Sequence, residues 1–352
     1  MKIISYQKLL NKESVIYVDV RTPDEFAEST IPGAINLPIF SNEERAEVGT
    51  IYTQQSPAAA KLLAVDLVSP KIPQMIRKIK ELTENHQHVV IFCARGGMRS
   101  ESIATFSELA GFKVYKLKGG YKAYRNFIIE KLRNYQLDSK LMVIHGFTGV
   151  GKTDLLYKLE DADISVIDLE GLANHRGSAF GSIGLEQPRN QKMFDSLLWE
   201  KLEEIKDSKV VAIEAESKRI GISTLPDFLL EAMKKGLHTL IKSSLESRIN
   251  RIIDEYKGSY TQDENKFLQA SLEAITCIRK HLVKKIGKND YNKLVNHCKQ
   301  GELEKVVEIL LTEYYDPLYL HSQNKFDYFD LEIEDDDLEK IKERIIEFIS
   351  IY

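Results

Sequence analysis

Leu141–Thr153 reads LMVIHGFTGVGKT: an apolar run, a turn holding three glycines, then a lysine and a threonine. The spacing Gly146-x4-Gly151-Lys152-Thr153 sits between a strand-forming run and the helix-forming DLLYKLED, the context that marks a phosphate-binding loop. With Thr148 at the turn, the amides of Gly149, Val150, Gly151, Lys152 and Thr153 are placed to wrap a di- or triphosphate. Lys152 neutralises the outer oxygens, and Thr153 is a candidate ligand for Mg²⁺. Such a loop recognises a phosphate chain and leaves open what that chain carries. Downstream, ISVIDLE, the helical FDSLLWEKLEEIKDS and KVVAIEAES continue an alternation of strand and helix, and past Leu240 the pattern turns mostly helical. Glu214 and Glu216, at the end of KVVAIEAES, are candidates for holding a metal-bound water or acting as general base.

Upstream, a second alternating series runs through VIYVDV (Val15–Val20), HVVIFC (His88–Cys93) and KVYKLKGG (Lys113–Gly120), with PQMIRKIKELTEN and SESIATFSELAG as intervening helices. The second of these helices is expected to open on a Ser cap and close at Gly111. Both series predict parallel sheets covered by helices. A linker near RNYQLDSK (Arg133–Lys140) places the boundary between a domain over 1–135 and one over 136–352.

Cys93 leaves the HVVIFC strand for a loop that ends at a helix N-terminus, where amides and the helix dipole favour negative charge. Arg95 and Arg99 add positive charge, Gly96 and Gly97 let the backbone curl, and Met98 completes the turn, so Cys93–Arg99 reads as an anion cradle around a thiolate nucleophile. Cys93-x5-Arg99 is also the spacing of cysteine-dependent phosphatases, so the loop by itself leaves phosphatase and sulfurtransferase chemistry open. Cys277 and Cys298 fall in helical stretches and read as inert core thiols.

Three widely spaced cysteines without a CxxC pair point to free thiols in a reducing cytoplasm rather than to disulfides or structural zinc. No apolar stretch approaches the ~20 residues of a membrane span, and MKIISYQKLLNKES lacks a signal-peptide pattern, so the expectation is a cytoplasmic protein with no membrane partner. The formal charge of −4 splits into +5 over residues 1–135 and −9 over the rest, the acidity concentrating in DLEIEDDDLEK. Residues 248–299 run the other way, with 11 basic against 6 acidic residues, and offer local positive surface to a polyanion.

VDVRTPDEF (Val18–Phe26), IPGAINLP (Ile31–Pro38) and LKGGYKAY around the cysteine strand resemble the rhodanese domain, in which a cysteine carries sulfur or selenium and the Asp19 and Arg21 positions build the surround of the site. The fold class implied is an N-terminal rhodanese-like domain followed by a P-loop NTPase-like α/β domain with a mostly helical C-terminal portion. Over nearly its whole length the chain resembles the bacterial tRNA 2-selenouridine synthases. The resemblance is carried by NLPIFSNEERAEVGTIY (Asn36–Tyr52), FCARGGMRS, GGYKAYR, GFTGVGKT, DLEGLANHRGSAFG (Asp168–Gly181), ESKRIG (Glu216–Gly221) and LTEYYDPLY (Leu311–Tyr319). It implies replacement of sulfur by selenium in wobble 2-thiouridine of tRNA, through an S-geranyl intermediate. The substrates would be selenophosphate and geranyl diphosphate, with no tightly bound cofactor and with a selenophosphate-supplying enzyme as a candidate partner. It also implies roles for Asp168, Glu170, His175 and Arg176 as polar walls for base or phosphate, and Lys218, Arg219, Arg248 and Arg251 are candidate contacts to tRNA phosphates. The chain departs from the family at Phe92, where a second cysteine is common, and at Ala215, where an acid is. The competing expectation is an ATP-dependent kinase or NTPase fused to a rhodanese sulfurtransferase or sensor module. A noncatalytic RNA-binding module would leave both glycine-rich loops without a task.

Overall fold

The structure, a computed structural model, describes residues 2–176, 187–258, 264–323 and 328–352, and for 256–258, 264–267 and 321–323 the backbone alone. The chain divides into two compact units, Met1–Asn134 with Asp195–Trp199, and Tyr135–Phe194 with Glu200–Tyr352.

In the first unit the elements run β1 (Lys2–Ile4), β2 (Val15–Asp19), α1 (Pro23–Glu28), β3 (Ile35–Asn36), α2 (Asn42–Gln54), α3 (Pro57–Val68), α4 (Ile72–Asn85), β4 (His88–Phe92), α5 (Met98–Leu109), β5 (Val114–Leu117) and α6 (Gly120–Arg133). The strands form one parallel sheet ordered β1-β5-β4-β2-β3. Strand β4 is central, and Val89, Val90, Ile91 and Phe92 are all buried, as expected of a strand covered on both faces. Capping boxes at Thr22/Glu25 and Ser41/Glu44 start α1 and α2 by satisfying amides that have no partner inside the helix. Met75, Ile79 and Leu82 recur at helical spacing on α4 and enter the core with Val89, Ile91 and Ile103.

The second unit continues with β6 (Lys140–Gly146), α7 (Lys152–Glu160), β7 (Ser165–Ile167), α8 (Leu169–Ala173), α9 (Gln191–Glu204), β8 (Val210–Glu214), the hairpin β9 (Arg219–Ile220) and β10 (Ser223–Thr224), α10 (Asp227–Lys234) and β11 (Leu237–Lys242). Then come α11 (Leu245–Gly258), α12 (Glu264–Cys277), α13 (Arg279–Lys299), α14 (Leu303–Ile309), a π-helical turn (Leu310–Tyr315), α15 (Asp316–Gln323), β12 (Leu331–Glu334) and α16 (Leu338–Ile349). The main sheet, ordered β12-β11-β6-β8-β7, is again parallel throughout. Its parallel strands bring the carboxyl ends of β6, β7 and β8 to one edge, which is where open α/β sheets bind ligands.

Both sheets have the predicted class. One segment gains a structural role and one local reading is corrected. The acidic DLEIE segment is an edge strand of the main sheet: Leu331 and Ile333 alternate with acids, and Ile333 pairs in register with Ile241 and is buried. Cys298 is buried as expected, but Cys277, the last residue of α12, is exposed.

Candidate functional site

Two loops carry the chemistry, one in each unit. In the first, β4 delivers Cys93 into a turn closed by α5. Helix α5 begins at Met98 with Gly97 as its cap, so Ser100 lies inside the first turn and is not the cap expected from the sequence. The reason is that Gly97 ends the loop in extended backbone, which frees the Ser100 hydroxyl to approach the thiol. Cys93 Sγ is buried, 3.2 Å from Ser100 Oγ and 3.8 Å from the Gly97 carbonyl. Gly96 has φ +65°, and a Cβ at Gly120 would stand 2.2 Å from the Cys93 carbonyl oxygen. The start of α6 therefore presses against the loop, and Tyr121 N–H donates to that carbonyl at 2.9 Å.

Beneath the loop, Arg21 and Asp19 form a buried pair. Arg21 Nε donates to both carboxylate oxygens at 3.0 Å and Nη2 to the Ser29 carbonyl at 2.6 Å, while the guanidinium sits 4.3 Å from the Tyr121 ring centroid. Of the cradle cations, Arg95 is exposed, but Arg99 makes a two-pronged contact with Glu25, at 2.5 and 3.2 Å. Arg99 is thus partly neutralised, and Glu25 is held below the usual carboxylate range by the Arg99 contacts, which outweigh its burial.

In the second unit, β6 ends at Gly146 and the phosphate loop turns into α7. Gly149 and Gly151 take φ of +84° and +86°, a region only glycine enters without strain. Lys152 Nζ folds back to the Gly146 carbonyl at 3.3 Å, and the Thr153 hydroxyl lies 3.4 Å from Glu170 Oε2. Burial opposes the Lys152 charge, but Tyr319, Glu170, Glu216 and Glu214 more than offset it, so the ammonium is held above the ordinary lysine range. His145, just before the loop, stays neutral: burial, then His238 and Lys152, push its pKa down to about 3. Its Nε2 lies 2.9 Å from His238 Nδ1 across the β6–β11 pairing.

The acids expected from the sequence converge on this loop, with distinct duties. Asp168 caps α8 through the Gly171 N–H at 2.7 Å and accepts from the Tyr157 hydroxyl at 2.9 Å. Glu214, at the end of β8, is buried; its Oε1 accepts the Glu170 N–H at 2.8 Å and its Oε2 has no hydrogen-bond partner. Burial, then the Asp168 charge, raise Glu214 well above the carboxylate range. Burial, then Glu216, lift Glu170 to about 8, and burial also raises Glu216. Glu170, Glu214 and Glu216 are thus all shifted upward while they face one buried ammonium.

The loop opens onto a cavity of about 480 Å³. One side is polar: Thr148, Lys152, Thr153, Asp168, Glu170, His175 and Arg176. The other is aliphatic apart from one ring, built by Ile252 of α11, Ile275 of α12, Leu303 and Val306 of α14, and Leu310, Leu311 and the Tyr315 ring of the π-helical turn. His175 is held neutral by burial, and Arg176 is paired with Glu255 at 2.5 Å. Of the DLEGLANHRGSAFG segment, residues 177–181 lie outside the described residues.

The four expected tRNA-binding cations divide. Lys218 and Arg219 are exposed, Lys218 beside Asp227 at 3.1 Å. Arg248 and Arg251 instead point inward and hold the back of the phosphate loop, which corrects their assignment to RNA. Arg248 is buried, donates from Nε to the Thr148 carbonyl at 2.9 Å, and makes a fork-to-fork pair with Asp316 at 2.6 and 2.9 Å. Arg251 Nη1 donates to the Gly149 and Val150 carbonyls at 3.4 and 3.2 Å.

Comparison with known proteins agrees with this two-loop layout. A rhodanese-like domain matches residues 4–127, and the domain described as "tRNA 2-selenouridine synthase AAA domain" matches residues 139–345. This chain belongs to the tRNA 2-selenouridine synthase family. The tRNA 2-selenouridine synthase of Psychromonas ingrahamii is 32% identical over 333 residues, covering 88% of each chain. That of Sulfurovum sp. (strain NBC37-1) is 34% identical, covering 86% of this chain and 87% of its own. Among solved structures, the N-terminal domain of a Clostridium difficile 630 protein described as ATP/GTP binding is 47% identical, covering 36% of this chain and 99% of its own, at a TM-score of 0.36.

Sequence reasoning missed the aliphatic wall. Its residues come from four segments spread between Ile252 and Tyr315, and each is an ordinary apolar position on an amphipathic helix. Ile275, Val306, Leu310 and Tyr315 also belong to the helical core, so nothing in their spacing marks them as cavity lining until the helices are placed.

Proposed function

We propose that this chain makes 2-selenouridine in tRNA, and that the cavity of the second unit holds geranyl diphosphate for the first of two steps. One observation carries the reading: a phosphate-binding loop opens directly onto an aliphatic wall, which matches an alkyl chain attached to a diphosphate. In this step the thiocarbonyl sulfur of 2-thiouridine attacks the allylic carbon, the carbon–oxygen bond breaks, and the electron pair leaves on diphosphate. Lys152 and the loop amides stabilise that charge as it develops. S-alkylation also releases the proton from N3 of the base. Glu170, which lines the cavity beside Thr153 of the phosphate loop, is the group that accepts it, and the Glu214 carboxyl group fixes the Glu170 backbone in place.

Among the described residues no group of three or more His, Cys, Asp or Glu side chains is arranged to hold a metal. Thr153 and Glu170 would hold Mg²⁺ only together with diphosphate oxygens and water, and the ion would supply further charge for the leaving group.

In the second step selenium takes the place of the alkylated sulfur. Alkylation turns that sulfur into a neutral thiol leaving group, so selenium from selenophosphate held in the Cys93 loop displaces geranylthiol at C2. Water then opens the phosphorus–selenium bond and releases phosphate. This exchange is redox-neutral, whereas a Cys93 perselenide would need an oxidant to form and two electrons to discharge.

The test is nucleoside mass spectrometry of 2-thiouridine-containing tRNA incubated with the protein and geranyl diphosphate, with and without selenophosphate. A geranylated nucleoside that becomes 2-selenouridine supports the reading. Unchanged 2-thiouridine with tRNA bound, alongside ATP turnover, sinks it. Calorimetry adds a quantitative arm: burying half of a geranyl chain at ~0.8 kcal/mol per carbon gives about 4 kcal/mol, or ~10³-fold tighter binding than inorganic diphosphate.

A further inference from the structure

Helix α13 carries seven Lys or Arg residues against the single acid Asp290, in a chain whose net charge is −4. Its inner face is apolar and used: Leu282, Tyr291, Leu294 and Cys298 are buried in a core shared with α12 and α14. Its outer face is where the charge lies. Lys280, Lys284, Lys285 and Lys288 are all exposed. Among the described residues none of the four has an ion-pair partner, whereas Lys158, Lys201, Lys234, Lys242, Lys305 and Lys342 each meet a carboxylate. Lys280 and Lys284 are four residues apart on one helical face, Lys285 flanks them, and Lys288 follows the break at Gly287, where φ is +81°.

Like charges at this spacing destabilise a helix by ~0.2–0.5 kcal/mol per pair, so the cluster works against the fold that carries it. A polyanion supplies the missing counter-charge. Position adds to the argument, because α13 packs on α12 and α14, whose Ile275, Leu303 and Val306 wall the cavity. The cationic face is therefore the outside of the helical layer that closes the reaction chamber.

We infer that the Lys280–Lys288 face of α13 is a docking surface for the phosphodiester backbone of tRNA. This rests on the reading that tRNA is the substrate, and it moves the RNA contact from Arg248 and Arg251, which are engaged with the phosphate loop, to one helix within the basic 248–299 stretch. A membrane surface is the less fitting polyanion: an interfacial helix exposes an apolar face to lipid, and the apolar face of α13 is buried. Backbone contacts of this kind position RNA without reading its sequence.

The experiment uses the full chain with Lys280, Lys284, Lys285 and Lys288 changed to Ala, a residue that favours helix. Binding of an unmodified tRNA transcript is followed by fluorescence anisotropy across a range of salt. At ~0.7–0.9 per phosphate contact, the slope of log affinity against log salt falls by about 3 to 4, with affinity at low salt down at least ~10-fold. Geranyl diphosphate binding stays unchanged and reports that the unit is folded. A control with Lys2, Lys8, Lys12 and Lys61 changed to Ala removes the same charge from the first unit and keeps the wild-type slope.

An unchanged slope in the α13 variant, or an equal fall in the control, overturns the surface. So does tighter binding of wild-type protein to phosphatidylserine vesicles than to tRNA, with that binding lost in the variant. Wild-type protein that binds no tRNA at all refutes the functional reading itself.

Discussion

Changing Arg248 to Met separates the two duties that an arginine near a phosphate loop can have. In the structure its side chain is 5% exposed and its partner Asp316 17%, and the pair makes two parallel contacts while Nε holds the Thr148 carbonyl. Methionine keeps most of the stem and removes the charge, leaving a largely buried carboxylate without its counter-ion. Breaking such a pair costs ~3–5 kcal/mol, and the residual exposure of Asp316 puts the expectation near the lower end, about 3 kcal/mol. Released from its anchor, the loop should bind geranyl diphosphate at least ~10-fold more weakly, equivalent to ~1.4 kcal/mol. The assay is a double-mutant cycle in urea with Arg248→Met, Asp316→Leu and the double variant, read as midpoint shifts at constant m. Removing both charges should recover much of the loss, with a coupling of about 2 kcal/mol or more. If Arg248→Met keeps its urea midpoint and diphosphate affinity but lowers the salt slope of tRNA binding by about 1, then Arg248 is an RNA contact and the bracing argument is wrong.

Three further outcomes are expected. Cys93→Ala, which alters the loop that holds selenophosphate, should lower selenium incorporation and spare S-geranylation, while Lys152→Ala should cut geranylation by ~10²–10³, as loss of one preorganised charge stabiliser does; equal loss of geranylation in both, by nucleoside mass spectrometry, contradicts the division of labour. Glu170 as proton acceptor must be ionised, so the single-turnover geranylation rate should rise with pH through about 8, and Glu170→Gln should be slow and lack that rise. The same group shapes stability. The folded chain keeps a proton that the unfolded chain loses near pH 4.5, so its contribution is greatest below 4.5 and falls as pH climbs to about 8, a slope that Glu170→Gln should remove in thermal melts at successive pH values.

The two loops were legible because their geometry is local. Gly149 and Gly151 stand where φ is positive, Gly96 likewise, and each loop joins the end of an apolar strand to the start of a helix. Asp168, Glu170 and His175 could be placed near the phosphate loop only through resemblance, and the structure separates a helix cap from a proton-holding acid among them. The sequence misled at Arg248 and Arg251, whose spacing suits a surface helix equally well, because their partners are carbonyls some hundred residues earlier in the chain. In DLEIE the sequence showed only acidity, because Leu331 and Ile333 gain partners only when β11 is alongside.

The sequence by itself determined two parallel α/β units, a thiol at the end of one central strand and a phosphate loop at the end of another. These follow from hydrophobic period and from backbone conformations that glycine alone tolerates, and both are properties of neighbouring residues. Tertiary structure alone decided that the phosphate loop faces an aliphatic wall, that two arginines serve the loop while four lysines on α13 have no ion-pair partner among the described residues, and that burial lifts Glu170 to about 8. Those outcomes depend on which groups are desolvated together, and desolvation is set by segments far apart in the chain.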